Sequence, residues 1–270
     1  MNCADARNMI VNREQAAPFL AEAVTPALWT ALIPAAGRGS RLGWHLPKIL
    51  FPVAGRPILA WLLDLLAPRC FGFVFVIAPD ALESVEPELQ LLIPGRFRIA
   101  IQPQPRGMAD AIACGLPAVN APNTLIVWGD QVALQPASLD LCMRLHQGPA
   151  NPAGTLPTLY RAQPYIHFER DHSGRIRRVL QAREGDPMPD FGESDSGLFL
   201  FRSGALREAL AALLASPDAV GARTGELNFL PVFTLLDNIV SARIMSDEES
   251  TGVNSRADAE YLERRWAAPS

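Results

Sequence analysis

Gly37, Gly39, Arg41 and Lys48 fall together in the stretch ALIPAAGRGSRLGWHLPK, where a glycine turn follows an apolar run. These residue types suit phosphate. Glycines let backbone N–H groups approach phosphate oxygens. A guanidinium can bind two oxygens at once, and the slimmer ammonium can follow charge as it develops on a transferring phosphoryl group. Lys48 is the only lysine of the chain, and the rest of its 24 Lys+Arg residues are arginine. A lysine kept at this place alone points to chemistry rather than to a solvated surface charge. The stretch is not the GxxxxGK[ST] loop, and GRGSRLG misses the GxGxxG spacing by one residue.

The surrounding elements must hold this turn in place. LWTALIPAA reads as a buried strand that runs into it, and PILAWLLDLLA (57–67) as an amphipathic helix. FGFVFVIAP (71–79), FRIAIQPQ (97–104) and TLIVWGD (124–130) read as further strands, separated by the helical patterns DALESVEPELQLL and MADAIACGLPAV. Apolar strands alternating with helices predict a mostly parallel sheet covered on both faces. After about residue 150 the rhythm changes. Pro and Gly cluster in QGPANPAGTLP, PYIHFERDHSGRIRRVLQ reads as a hairpin turning at Asp171–Gly174, and SGLFLFR and IVSARIMS read as strands. Helices are expected at about 204–215, 228–237 and 256–266. The expectation is an α/β fold with a mostly parallel central sheet and a small antiparallel annex. A polar leader over 1–27, flexible or loosely helical, precedes a single domain over 28–266.

Composition narrows the partners. The 270 residues are 49% hydrophobic and 19% charged, as in a soluble globular protein, with a net charge of −4 and no long basic run. That counts against nucleic acid or an anionic membrane as the main partner, while a local cationic pocket could still hold a phosphorylated small molecule. Cys3, Cys70, Cys114 and Cys142 lie far apart, without a CxxC pair or a Cys/His cluster, and suit reduced thiols. The N-terminus lacks the apolar core of a signal peptide, and no apolar run reaches about 18 residues. A soluble cytoplasmic protein is expected, and a homo-oligomer stays open.

AAGRGSRLGWHLPK fits AAGxGxRxxxxxPK and resembles the signature of the sugar-phosphate nucleotidyltransferases, which join a nucleoside triphosphate to a sugar 1-phosphate. Four later segments are similar to this family in the same order, closest to the pyrophosphorylase domain of the N-acetylglucosamine-1-phosphate uridylyltransferases. The resemblance covers about residues 29–265 and implies a Rossmann-like, glycosyltransferase-A type α/β fold. It implies that Arg41 and Lys48 are catalytic, with Ala35, Ala36, Gly37, Gly39, Gln102, Gly107 and Met108 on the nucleotide. A glutamine amide offers both donor and acceptor to the edge of a pyrimidine. Met108 stands where the uridylyltransferases carry threonine, and the QPxPxG form of IQPQPRGMADAI is closer to the thymidylyltransferases, so UTP and dTTP both stay open.

The resemblance further implies a Mg²⁺ held by Asp130, in VWGDQVAL, and Asn254, in STGVNSRADAEYLE. Gln181, Asp195 and Glu226 align with acceptor-binding positions. Gln181 replaces a glutamate, Asp195 an asparagine, and Pro231 and Val232 stand where the family has Thr-Asp, which suggests a changed acceptor. The chain ends without β-helix repeats, so acetyl transfer is not expected. Two other readings remain open: the same chemistry on a non-sugar phosphate or phosphonate, with CTP as a candidate nucleotide, and a non-catalytic nucleotide-binding regulator.

Overall fold

The computed structural model describes residues 8–37 and 39–267. Strands β1 (Ile10–Val11), β2 (Trp29–Pro34), β3 (Pro52–Val53), β4 (Arg56–Pro57), β5 (Gly72–Ile77), β6 (Phe97–Ile101), β7 (Asn123–Val127), β8 (Gly154–Ala162), β9 (Ile166–Arg170), β10 (Ile176–Gln181), β11 (Phe191–Asp195), β12 (Leu198–Arg202) and β13 (Ile239–Arg243) form the strand set. The helices are α1 (Ile58–Leu66), α2 (Leu82–Leu92), α3 (Met108–Gly115), α4 (Pro136–Gln147), α5 (Ser203–Leu214) and α6 (Arg256–Ala267). The main sheet runs β1-β13-β8-β12-β7-β2-β5-β6, with β11 also paired to β8. The β7-β2-β5-β6 portion is parallel, whereas β12 is antiparallel to both β7 and β8.

Alternation along each strand sends side chains to two cores. Ala31 and Ile33 of β2 join one cluster with Leu59, Leu62, Val85 and Met143 from α1, α2 and α4. Leu32, between them, joins the other with Ile112, Leu206 and Leu210 from α3 and α5. Both faces of the sheet are therefore covered, which is why its strands read as continuous apolar runs. The mixed α/β architecture with a mainly parallel sheet matches the sequence reading. The hairpin is β9–β10, and its turn is held by Asp171 Oδ1, which accepts from the Ser173 and Arg175 amides at 2.9 and 3.1 Å.

Two segments differ from the reading. The helix expected over 228–237 is a single 3₁₀ turn, Leu230–Thr234. Pro231 removes a backbone donor there, and the turn buries Leu230, Val232 and Phe233 together against Phe168, Phe199 and Phe201. In the leader, residues from 8 onward are packed on the domain. β1 pairs parallel with β13, Val11 and Ala16 are buried, and Ala21 exchanges two hydrogen bonds with Arg144. Residues 1–7 of the leader lie outside the described residues. Among the described residues no helix is long and apolar enough to cross a membrane.

Candidate active site

The C-terminal ends of β2, β5 and β7 open on one side of the sheet, where ligands of such sheets sit. β2 runs into the turn at Ala35–Gly37, with the Ala35 amide bonded to Val76 O at 2.7 Å. Gly39 takes φ +61°, and a Cβ on it would stand 3.0 Å from Lys48 Cβ, so glycine lets the lysine backbone close on the turn. Lys48 itself opens a 3₁₀ turn, Lys48–Leu50, that is anchored by buried Ile49 and Leu50. The lysine is thereby aimed from a rigid base.

Three chain regions converge on its ammonium. Lys48 Nζ lies 2.6 Å from Asp130 Oδ2, just past β7, and donates to Asn254 Oδ1 at 2.9 Å. Arg41 Nη2 reaches the same Asn254 oxygen at 3.5 Å. Asn254 is free to do this because α6 is capped by its neighbours. Ser255 Oγ accepts from the Asp258 amide, and Asp258 Oδ2 accepts from the Ser255 and Asn254 amides at 2.7 and 2.8 Å. That reciprocal capping box leaves the Asn254 side chain for the cavity. Val253 N to Asp130 O at 3.0 Å, with glycine at 252 allowing close approach to Asp130, locks the two segments side by side.

The residues present fit a hard divalent cation. Two oxygens, Asp130 Oδ2 and Asn254 Oδ1, already point at one positive centre, and Asp130 Oδ1 is buried with no hydrogen-bond partner among the described residues. One carboxylate and one amide oxygen make a sparse, all-oxygen set of the kind Mg²⁺ accepts while leaving places for phosphate oxygens. Among the described residues no group of three His, Cys, Asp or Glu side chains gathers for a metal.

Arg41, Asp130 and Asn254 line a cavity of about 470 Å³ with Met108, Trp128, Tyr165, Gln181 and Asp195. Gln181 and Asp195 thus come together on its annex side. Burial raises the Asp195 carboxyl above its ordinary pKa, opposed by the Gly197 and Asp195 amides and by Arg161. Glu226 does not line the cavity. It holds Arg183 at 2.9 Å, and Arg183 lines the wall. Arg161 and Arg183 are cavity residues that the sequence reading missed, since no motif marks them and their place depends on how the annex folds over the sheet.

The nucleotide positions divide. Ala35, Ala36 and Gly37 line a second cavity of about 360 Å³ with Trp44, Pro47, Ala78 and Asp80. Gln102 is a lining residue of neither cavity: its backbone N–H is bonded to Ile77 O at 2.9 Å, and its side-chain Nε2 donates to Gly107 O at 3.1 Å. Gly107 takes φ +116° at the start of α3, where a Cβ would lie 2.5 Å from Leu227 N. The Leu227 amide and carbonyl are bonded to Arg106 O and the Ala109 amide. Residues 102–109 are fastened to the annex in this way.

Residues 31–193 match the family of MobA-like NTP transferase domains. The bifunctional protein GlmU of Sorangium cellulosum is 31% identical over 203 residues, which cover 71% of this chain and 42% of that protein. Its counterpart in Pelotomaculum thermopropionicum is 27% identical over 248 residues, 87% of this chain and 52% of that one. The chain spans about half the length of the curated relatives it matches. A solved 4-diphosphocytidyl-2C-methyl-D-erythritol synthase from Anaerococcus prevotii superposes with a TM-score of 0.64 at 15% identity, over 90% of this chain and 100% of that one. A nucleoside-diphosphate-sugar pyrophosphorylase from Vibrio cholerae gives 0.64 at 18%, over 87% and 99%. At such identities the two structures establish the shared fold.

Proposed function

We propose that this chain, which belongs to the family of MobA-like NTP transferase domains, is a Mg²⁺-dependent nucleotidyltransferase that joins a nucleoside triphosphate to a phosphorylated small molecule and releases pyrophosphate. The observation that carries this reading is the convergence of Lys48, Asp130 and Asn254, with Arg41 beside them, on one point of the large cavity. A phosphate oxygen of the acceptor attacks the α-phosphorus in line, and the bond from that phosphorus to the bridging oxygen of pyrophosphate breaks. No protein nucleophile takes part, so catalysis is positioning and charge neutralisation. Arg41 and the amides of Ala36, Gly37 and Gly39 hold the leaving β,γ-phosphates. Lys48 exchanges its protein oxygens for those of the α-phosphate and the acceptor phosphate. Asp130 and Asn254 would hold Mg²⁺, which when bound neutralises charge on phosphate oxygens.

UTP or dTTP with a sugar 1-phosphate is the leading substrate pair. Its support is the motif order, the GlmU relatives and the pyrophosphorylase neighbour. A second reading keeps the chemistry and takes CTP with a non-sugar phosphate or phosphonate. Its support is the erythritol synthase neighbour, with Gln181, Arg161 and Arg183 on the acceptor wall. Pyrophosphate release should be measured with UTP, dTTP, CTP and GTP, each against sugar 1-phosphates, polyol phosphates and phosphonates. Folded protein supplied with Mg²⁺ that turns over none of these pairs overturns both readings and leaves a nucleotide-binding regulator. The acceptor that turns over decides between them.

A further inference from the structure

Gln102 sits at the C-terminal end of β6 and is 5% exposed. Both hydrogens of its side-chain amide are committed, one to Gly107 O at 3.1 Å and one to Asp110 Oδ2 at 2.9 Å. Asp110, in the first turn of α3, is equally buried, and its other oxygen accepts from Arg106 Nη2 at 2.6 Å. None of the described residues donates to Gln102 Oε1. Turning the amide over would set its oxygen against a carboxylate and a carbonyl at hydrogen-bond distance in a nearly dry site, and would strand both acceptors. The chain Arg106–Asp110–Gln102 therefore fixes which way the Gln102 carbonyl oxygen faces.

We propose that Asp110 is a positioning residue for base selection: it fixes the Gln102 amide so that the base must bring an N–H group to Gln102 Oε1. The inference rests on the nucleotidyl-transfer reading for its ligand. Uracil and cytosine carry opposite donor and acceptor patterns at their 3 and 4 positions. With the base held in one register, an amide oxygen locked in place meets an N–H on one of them and a lone pair on the other, and an amide free to turn over accepts either. A free glutamine would read the base edge promiscuously; the buried carboxylate behind it removes that freedom.

The test compares wild type, Asp110→Leu and the double variant Asp110→Asn/Arg106→Ala. In the double variant the asparagine carbonyl can still accept from Gln102 Nε2, and no guanidinium faces its NH₂ group. Dissociation constants for UTP and CTP are measured by calorimetry on each folded protein, together with nucleotide KM and kcat on any acceptor that turns over. Wild type should separate the two nucleotides, Asp110→Leu should shrink that ratio by about tenfold or more through nucleotide binding rather than kcat, and the double variant should retain it. A wild type that binds both alike, a folded Asp110→Leu with an unchanged ratio, or a double variant as indiscriminate as Asp110→Leu overturns the assignment. Binding is read without turnover, so a failure of the transfer reading shows separately, as selective binding with no pyrophosphate released.

Discussion

Lys48 Nζ stands 2.6 Å from Asp130 Oδ2, an ion pair across 82 positions of sequence in which both side chains are 16% exposed. The pair joins the glycine-turn segment to the end of β7. It also means that the lysine competes with any metal for the aspartate and for Asn254 Oδ1.

Removing that competitor separates metal binding from catalysis. Lys48→Ala should lose about three orders of magnitude or more in turnover, because the charge that follows the transferring phosphoryl group is gone. The same variant should bind Mn²⁺, used as a spectroscopic substitute for Mg²⁺, on the order of tenfold tighter than wild type. Asp130→Asn should lose both properties. Electron paramagnetic titration of Mn²⁺ reads the affinity, and weaker binding by Lys48→Ala would count against Asp130 and Asn254 as ligands.

Gly107 admits no side chain. Its φ of +116° is strained for any other residue, and a Cβ would stand 2.5 and 2.6 Å from Leu227 N and O. Gly107→Ala must push away a backbone that is itself bonded to Arg106 and Ala109. The expected loss is about 2 kcal/mol or more of stability, read by urea unfolding, with a raised nucleotide KM. An alanine variant of unchanged midpoint and KM would mean that the Leu227 segment yields freely.

Part of this site was legible in the sequence because its signals are local. A short apolar run that ends in a glycine turn reads as a doubly covered strand, so β2 and its loop are readable as written. Lys48 stood out by composition alone. Asn254 was reachable only through a family pattern, and the reason it is free, the Ser255–Asp258 capping box, is visible in the sequence as S-x-x-D once the helix start is known. The 3₁₀ turn at Leu230–Thr234 reads as a helix because its apolar spacing mimics one, while Pro231 and the aromatic core around Phe233 decide otherwise. Arg161 and Arg183 carry no local signal, and their places on the cavity wall come from tertiary packing, whereas Asp110 meets partners only four and eight residues away, Arg106 and Gln102.

Glu193, in the segment ESDSGLFLF, illustrates the same limit. Its carboxylate is 1% exposed and accepts from Thr158, Arg170 and Arg243, which ties β8, β9, β11 and β13 together. Burial alone would raise its pKa, but the Arg170 and Arg243 guanidiniums and their hydrogen bonds bring it below the ordinary value. Glu193→Leu strands two guanidiniums and should cost ~3–5 kcal/mol by chemical denaturation. Because this node holds the annex against the sheet, acceptor KM should rise more than nucleotide KM. Equal changes in the two would place its effect on the whole fold.

His146 gives the acid limb of stability. It is fully buried on α4, with Nδ1 3.0 Å from Thr155 Oγ1 and its ring 5.2 Å from that of Trp29. Burial, with some help from the Arg202 charge, lowers its pKa from 6.5 to about 3. The folded protein therefore keeps this imidazole neutral where the unfolded chain takes up a proton. Its contribution is intact above pH 6.5 and declines as pH falls from 6.5 toward 3, by up to ~1.4 kcal/mol per pH unit. His146→Phe keeps a ring against Trp29 and removes the titration. The variant pays a pH-independent cost for the unpaired Thr155 hydroxyl, so only the slope is diagnostic. Between pH 6.5 and 4 wild type should lose stability faster than His146→Phe in parallel denaturation series. Parallel curves would mean that His146 titrates alike in the folded and the unfolded chain, against the effect of its burial and of Arg202.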